Sequence, residues 1–338
     1  MRANVGNALE RSAMLYQTLE KGRDPSLRYY YTLIKAEDET MNKNAAIKFI
    51  LQNARPLELA VYKYFFENES NQAVVEELLK FQNPDGGFGN AIEPDFFNPN
   101  SSPIATNDAI ITLHRINGIN KDSDIVKGIV RYLESHDSFD EDKKRWLFAI
   151  DSNRDYPHAI WWEKKGDGIS GFNPSISLAA FLICYSNRAS LYEEIIKEGF
   201  EYLETAEEIS GDSLKCFLLT YELLKTNSIT DVIDLEHFKD LLYKAIDNSI
   251  CKDIEKYGVE YVPMPSDFFS GTYSEFITSE TKTLISAEKD VLGKLQMEDG
   301  GFDITWKWYT PYPEFEQARA WWRPRITVEK LLFNEVQI

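Results

Sequence analysis

The chain has 338 residues, with 55 Asp or Glu against 37 Lys or Arg, a formal charge of −18. An acidic surface of this kind repels phosphate backbones and anionic headgroups, which excludes a general nucleic-acid binder and a polybasic membrane-surface protein. Hydrophobic residues at 43% suit a globular core, and no apolar run approaches the roughly 20 residues of a membrane span.

The first residues, MRANVGNALERSAMLYQTLEKGRD, have helical periodicity and no apolar core of a secretory signal, so a cytoplasmic protein is expected, with a peripheral helix over about 1–40 of a single domain 1–338. Amphipathic spacing predicts helices over 44–52 and 56–67. An apolar stripe of Val74, Val75, Leu78, Leu79 and Phe81 then runs into Gln82-Asn-Pro-Asp-Gly-Gly-Phe88. A loop over 83–102 carries Glu93 and Asp95 on either side of Pro94, and helices follow over 103–117 and 123–135. A second long loop, 137–173, holds His158, Trp161 and Trp162. Its Gly166-Asp-Gly168-Ile-Ser-Gly171 follows no strand and therefore does not read as a dinucleotide fingerprint. Helices are predicted over 175–187, 190–205, 212–225 and 234–248, then a loop over 253–280. The stripe Ile285, Val291, Leu292 and Leu295 leads into Gln296-Met-Glu-Asp-Gly-Gly-Phe302, which matches the first such heptapeptide at five of seven positions. A loop over 298–325 and a helix over 326–336 end the chain.

The repeated unit is a helix, a Gln near its end, and Asp-Gly-Gly-aromatic. The glycines permit positive φ in a tight exit turn, and the Gln amide can satisfy backbone groups left open at a helix end. Alternating β-branched strands are nearly absent, which predicts an all-α fold. About a dozen helices in hairpins with no polar linker point to a closed ring, whose long loops gather at the rim around a central cavity. Cys184, Cys216 and Cys251 have the spacing of neither a disulfide framework nor a metal site and read as buried thiols. No metal or cofactor is expected.

The stretches QNPDGGFGN and QMEDGGFDITW resemble the QW-type repeats of the prenyltransferase and squalene-cyclase superfamily. With Ala54–Glu58, Ser101–Thr106, Pro157–Trp162, Phe172–Ser175 and Trp322–Leu332, they resemble bacterial single-toroid proteins described as prenyltransferase-like. The resemblance implies an α/α toroid of about six helical hairpins with an aromatic-lined cavity for an apolar or isoprenoid-like ligand. The chain departs from the catalytic members of that superfamily. It has no adjacent Asp pair for an Asp-x-Asp-Asp acid or an Asp-Asp-x-x-Asp metal cluster, and Leu182, Leu214 and Ser249 stand where a zinc-binding Asp would precede each Cys by two residues.

The rim loops supply the candidate site. Glu93, Asp95, His158 and Asp303 are the candidate acids and bases. Trp161, Trp162, Trp306, Trp308, Tyr312 and Trp322 are the candidate ligand-facing rings, and Arg323 and Arg325, on either side of Pro324, are forked donors for an anion, with ion pairing to Glu314 or Glu316 as their alternative. Three functions follow: an isoprenoid-type enzyme, a carbohydrate-active hydrolase or lyase using the loop carboxylates, and a peptide- or protein-binding toroid without catalysis.

Overall fold

The computed structural model describes residues 40–338; the helix expected over about 1–40 lies outside them. Among the described residues there are twelve α-helices: α1 Lys43–Asn53, α2 Pro56–Phe66, α3 Asn71–Leu78, α4 Pro103–Arg115, α5 Asp124–Glu134, α6 Ser175–Tyr185, α7 Ser190–Thr205, α8 Gly211–Thr226, α9 Leu235–Ser249, α10 Ser266–Phe269, α11 Ser279–Leu295 and α12 Phe315–Asn334. The one sheet among these residues is a hairpin of β1 Phe139–Asp140 with β2 Arg145–Trp146, so the protein is all-α. None of these helices is long and apolar enough to cross a membrane.

Short side chains set the helix starts. Asn42, Ser102, Ser210 and Asp234 each accept a bond from a backbone N–H of the first turn of α1, α4, α8 and α9, and Thr278 with Thr281 closes a capping box on α11. Helix α5 buries Ile125, Val126, Ile129, Tyr132 and Leu133 and turns Lys127 and Arg131 outward, the one-sided pattern of an outer helix. Helix α6 is buried at every residue from Ser175 to Ile183, so it has no solvent face and packs on α4, α5, α7 and α8.

The largest departure from expectation is at the C-terminus. Helix α12 begins at Phe315 and carries Pro324 in its interior, whereas the sequence predicts a loop to 325. A proline normally ends a helix because it lacks an N–H and crowds the preceding turn; here the helix is held by its packing against α1, α2 and α10. The chain thus returns on itself, its last helix lying against the first two described ones.

The two heptapeptides make the same contacts. Gln82 Nε2 donates to Gly86 O at 2.9 Å within its own turn and to Ile125 O of α5 at 3.0 Å. Gln296 Nε2 donates to Gly300 O at 2.7 Å and to Asn42 O, the cap of α1, at 3.0 Å. Asp85 and Asp299 each accept from the second glycine, and Phe88 N and Phe302 N donate to Thr106 of α4 and Thr327 of α12 at 3.1 and 3.0 Å. The turn after α3 is therefore docked on α5 and α4, and the turn after α11 on α1 and α12. Each buries a phenylalanine, a gain of about 2–3 kcal/mol relative to exposure.

Candidate functional site

Three rim segments are knitted together around Asp95. The chain pairs at Phe96 with His158, Ala159 N donates to Asp95 O at 2.9 Å, and Ile160 N donates to Trp308 O at 2.9 Å. The Asp95 carboxylate is buried and accepts the indole N–H of Trp308 at 2.6 Å and of Trp306 at 3.1 Å. Burial pushes its pKa up to about 6; the indole donors of Trp308, Trp322 and Trp306 and the charge of Arg325 limit the rise. Trp322 stands edge-on to Trp306, ring centroids 5.2 Å apart, with its own N–H outside direct hydrogen-bond geometry.

Glu93, two residues before Asp95, carries the least compensated carboxyl of the site. Its pKa lies well above the usual carboxylate range because of burial, reinforced by Asp108, Asp95 and Asp212 and opposed by Arg325. That arginine is committed elsewhere: its two terminal nitrogens grip Asp108 of α4 at 2.5 and 3.1 Å. Glu93 is therefore protonated at pH values where an ordinary glutamate is ionised.

Opposite in character is Asp212, in the first turn of α8. Burial raises its pKa, but the charge of Lys215 and hydrogen bonds from Tyr261 and Lys215 bring it below the usual range. Tyr261 Oη donates to Asp212 Oδ2 at 3.0 Å, and Lys215 Nζ lies 3.3 Å from Asp212 Oδ1. The Asp212 side chain is 58% exposed and Tyr261 64% exposed, and both lie within electrostatic reach of Glu93. The Tyr261 ring meets Trp306 edge-on at 5.5 Å, so an aromatic wall stands beside the carboxylates.

Of the residues expected at the site, Glu93, Asp95, Trp306 and Trp322 come together here. His158 is buried; its Nδ1 lies 2.6 Å from Tyr156 O, which makes that nitrogen the donor, and its ring tilts against Tyr312 at 5.4 Å. Trp308 is fully buried, and Trp162 is packed between Phe96 and Phe148. Trp161 is half-buried against the same core. Asp303 is paired with Arg319, and Arg323 grips Asp299 of the second heptapeptide at 2.8 and 2.9 Å while lying over Phe49. Those two serve the rim turn; Arg323 pairs with Asp299 and not with Glu314 or Glu316. All three cysteines are free, Cys216 buried and Cys184 and Cys251 partly exposed. Burial pushes the Cys184 and Cys216 thiols up to about 12, far from nucleophilic readiness.

Arg325, a candidate forked donor, does grip a carboxylate with both terminal nitrogens, that of Asp108. Sequence reasoning missed Asp108, Asp212 and Tyr261; the two aspartates sit on helices, where a charge every few residues looks like a solvated face, and no local pattern marks them. Comparison with known proteins adds nothing to this geometry: no family model, curated protein or solved structure matches the chain.

Proposed function

We propose that the twelve helices close an α/α toroid of six hairpins and that the cluster around Glu93 and Asp95 is the active site of a carbohydrate-active hydrolase or lyase. Support for the toroid comes from the equivalent docking of the two heptapeptides and from α12 lying against α1 and α2. In this reading the second turn joins the last outer helix, α11, to the first, α1. The same repeat is what supports kinship with the QW-repeat superfamily.

The observation that carries the enzymatic reading is that Glu93 and Asp212 lie within electrostatic reach of each other, the first driven toward its protonated form and the second toward its ionised form. Two carboxyl groups driven apart in this way are the acid and the base of glycoside chemistry. Glu93 donates a proton to the leaving oxygen, and Asp212, oriented by Tyr261 and Lys215, takes one from water or from the sugar. Trp306 and Tyr261 offer ring faces on which a pyranose can stack. Asp95 positions Trp306 through its indole N–H. The isoprenoid alternative has the aromatic rings in its favour, but a diphosphate entering this site meets carboxylates whose neighbouring arginine and lysine are already engaged.

The test is a panel of oligosaccharides, assayed for new reducing ends and unsaturated products, run beside farnesyl diphosphate. Turnover of a sugar is expected, with Glu93→Gln lowering kcat by about a thousandfold while the variant keeps its far-UV spectrum. Consumption of the isoprenoid alone, or a Glu93→Gln variant as active as the parent, would overturn the reading.

A further inference from the structure

The backbone that carries Glu93 is held by two guanidinium groups from different helices. Arg55, the residue before Pro56 of α2, donates from Nη1 to Ala91 O at 2.6 Å and from Nη2 to Ile92 O at 3.2 Å. Arg325 of α12 reaches the same Ile92 carbonyl from Nη1, at 3.4 Å. Each arginine is in turn fixed by a carboxylate that takes two of its nitrogens. Glu58 accepts from Nε and Nη2 of Arg55 at 2.9 and 2.6 Å, and Asp108 of α4 holds both terminal nitrogens of Arg325. The Arg55 side chain is only 10% exposed, with its guanidinium over the rings of Phe81 and Trp321 at 5.6 and 5.2 Å.

A peptide unit is planar, so gripping Ile92 O also fixes the Cα of Glu93 at the far edge of the same plane. The grip acts on a backbone that resists it. Asn90 and Ala91 both lie in the left-handed region, at φ of +58° and +57°. Asn tolerates that region, whereas the Cβ of Ala there crowds the following carbonyl oxygen. The bond from Arg55 Nη1 falls on the carbonyl of Ala91, the strained residue itself. Arg55 also occupies the N-cap of α2, where α1, α4, α8 and α9 have an Asn, Ser or Asp that bonds the first turn, and its side chain makes no such bond. The start of α2 forgoes a cap, and the side chain that replaces it serves the loop.

We infer that Arg55 is the positioning residue of Glu93: it latches the left-handed turn at 90–91 and, with Arg325, holds the next peptide unit so that the Glu93 side chain keeps its half-buried place. Calling Glu93 the acid rests on the carbohydrate reading above, but the latch is measured by titration, so either can fail without the other. The two guanidinium groups come from α2 and α12, which pack on each other. The place of the carboxyl therefore depends on that helix contact as well as on its own loop.

The experiment titrates the Glu93 carboxyl in the full chain by carbon NMR, with Glu93→Gln identifying its resonance, in the parent and in Arg55→Lys. Lysine keeps the positive charge but cannot bridge a carboxylate and two carbonyls as the planar fork does. A released loop opens the carboxyl to water, so Glu93 should titrate about one pH unit lower, or more, in Arg55→Lys. A weakened cation on an unmoved loop acts in the opposite direction, since less attraction raises a neighbouring carboxyl. Ala91→Gly, added to Arg55→Lys, removes the left-handed strain that the latch opposes and should return much of the fall. An unchanged or higher titration in a folded Arg55→Lys, or a fall that Ala91→Gly leaves as it is, overturns the inference. Should Arg55→Lys alone not fold, the double variant is titrated in its place: a recovered fold with the parental titration supports the latch, and failure to recover overturns it. If a sugar is turned over, the alkaline limb of kcat should move down with the titration in Arg55→Lys. A limb that stays while the titration falls, or a latch in a protein that turns over no sugar, overturns only the catalytic reading.

Discussion

At the scale of single residues, the site is built by withholding compensation. Asp95 is given two indole donors and no ion pair, and its carboxyl rises to about 6 because burial outweighs those bonds. The folded chain therefore holds a proton at Asp95 between about pH 4, where an unfolded aspartate titrates, and about 6. Binding more protons folded than unfolded means that this contribution to stability is full below that window and is lost as pH rises through it. Glu93 acts with the same sign. Urea unfolding measured from pH 4 to 7 should show stability falling with pH, and Asp95→Asn should flatten the slope. The variant should also start lower, because an amide opposes one of the two indole N–H groups, at a cost of about 1–2 kcal/mol. An unchanged slope in the variant would place the titrating group elsewhere.

At the scale of elements, the heptapeptide turns are the parts whose identity was plain in the sequence and whose reach was not. Asp-Gly-Gly signalled a tight turn, and Gly86 and Gly300 indeed take φ of +100° and +93°. What spacing alone does not reveal is that each turn leans on a helix far away in the chain. A Cβ on Gly86 would fall inside the Gly128 carbonyl of α5, and one on Gly300 inside the Ala45 carbonyl of α1. Gly86→Ala and Gly300→Ala should therefore each cost about 2–3 kcal/mol or more, from strain at positive φ plus the clash, as read by thermal or urea unfolding. Gly128→Ala should cost less, since its nearest obstacle is the end of the Gln82 side chain rather than backbone, and the loss is that of the amide's bonds to Gly86 O and Ile125 O. Helix positions were legible for the same reason the turns were: caps and apolar periodicity are local. The loops showed Glu93, Asp95, Trp306 and Arg325 as candidates, whereas Asp108 and Asp212 were hidden because their meaning lies in which helices face one another. Trp308 and His158 misled in the opposite direction, since a loop aromatic can be core when the loop itself is pinned to two others.

For the whole molecule, the question is whether the helices form a closed body or an open row. In an open row each hairpin leans only on its neighbours, and the ends fray independently. Here the turn after α11 docks on α1 through Gln296 and Asn42, and α12 packs on α1 and α2, so the two ends of the described chain support each other. Charged side chains of α4, α8, α10 and α12 lie within electrostatic reach of one another or of Glu93, so no single hairpin assembles the site. Such a body should unfold as one unit. Four of the seven tryptophans lie at 306 or later, so fluorescence reports mainly on the C-terminal part, while far-UV circular dichroism reports on every helix. The two unfolding curves should superimpose, and Gly300→Ala, which strikes the contact between the turn after α11 and α1, should move both midpoints together. Loss of fluorescence ahead of helix content in that variant would mean that the C-terminal helices detach from a row that stands without them. The proposed site, which needs α12 for Arg325 and the loop before it for Trp306, would then be assembled only part of the time, and the proposed acid–base pair would lose its fixed geometry.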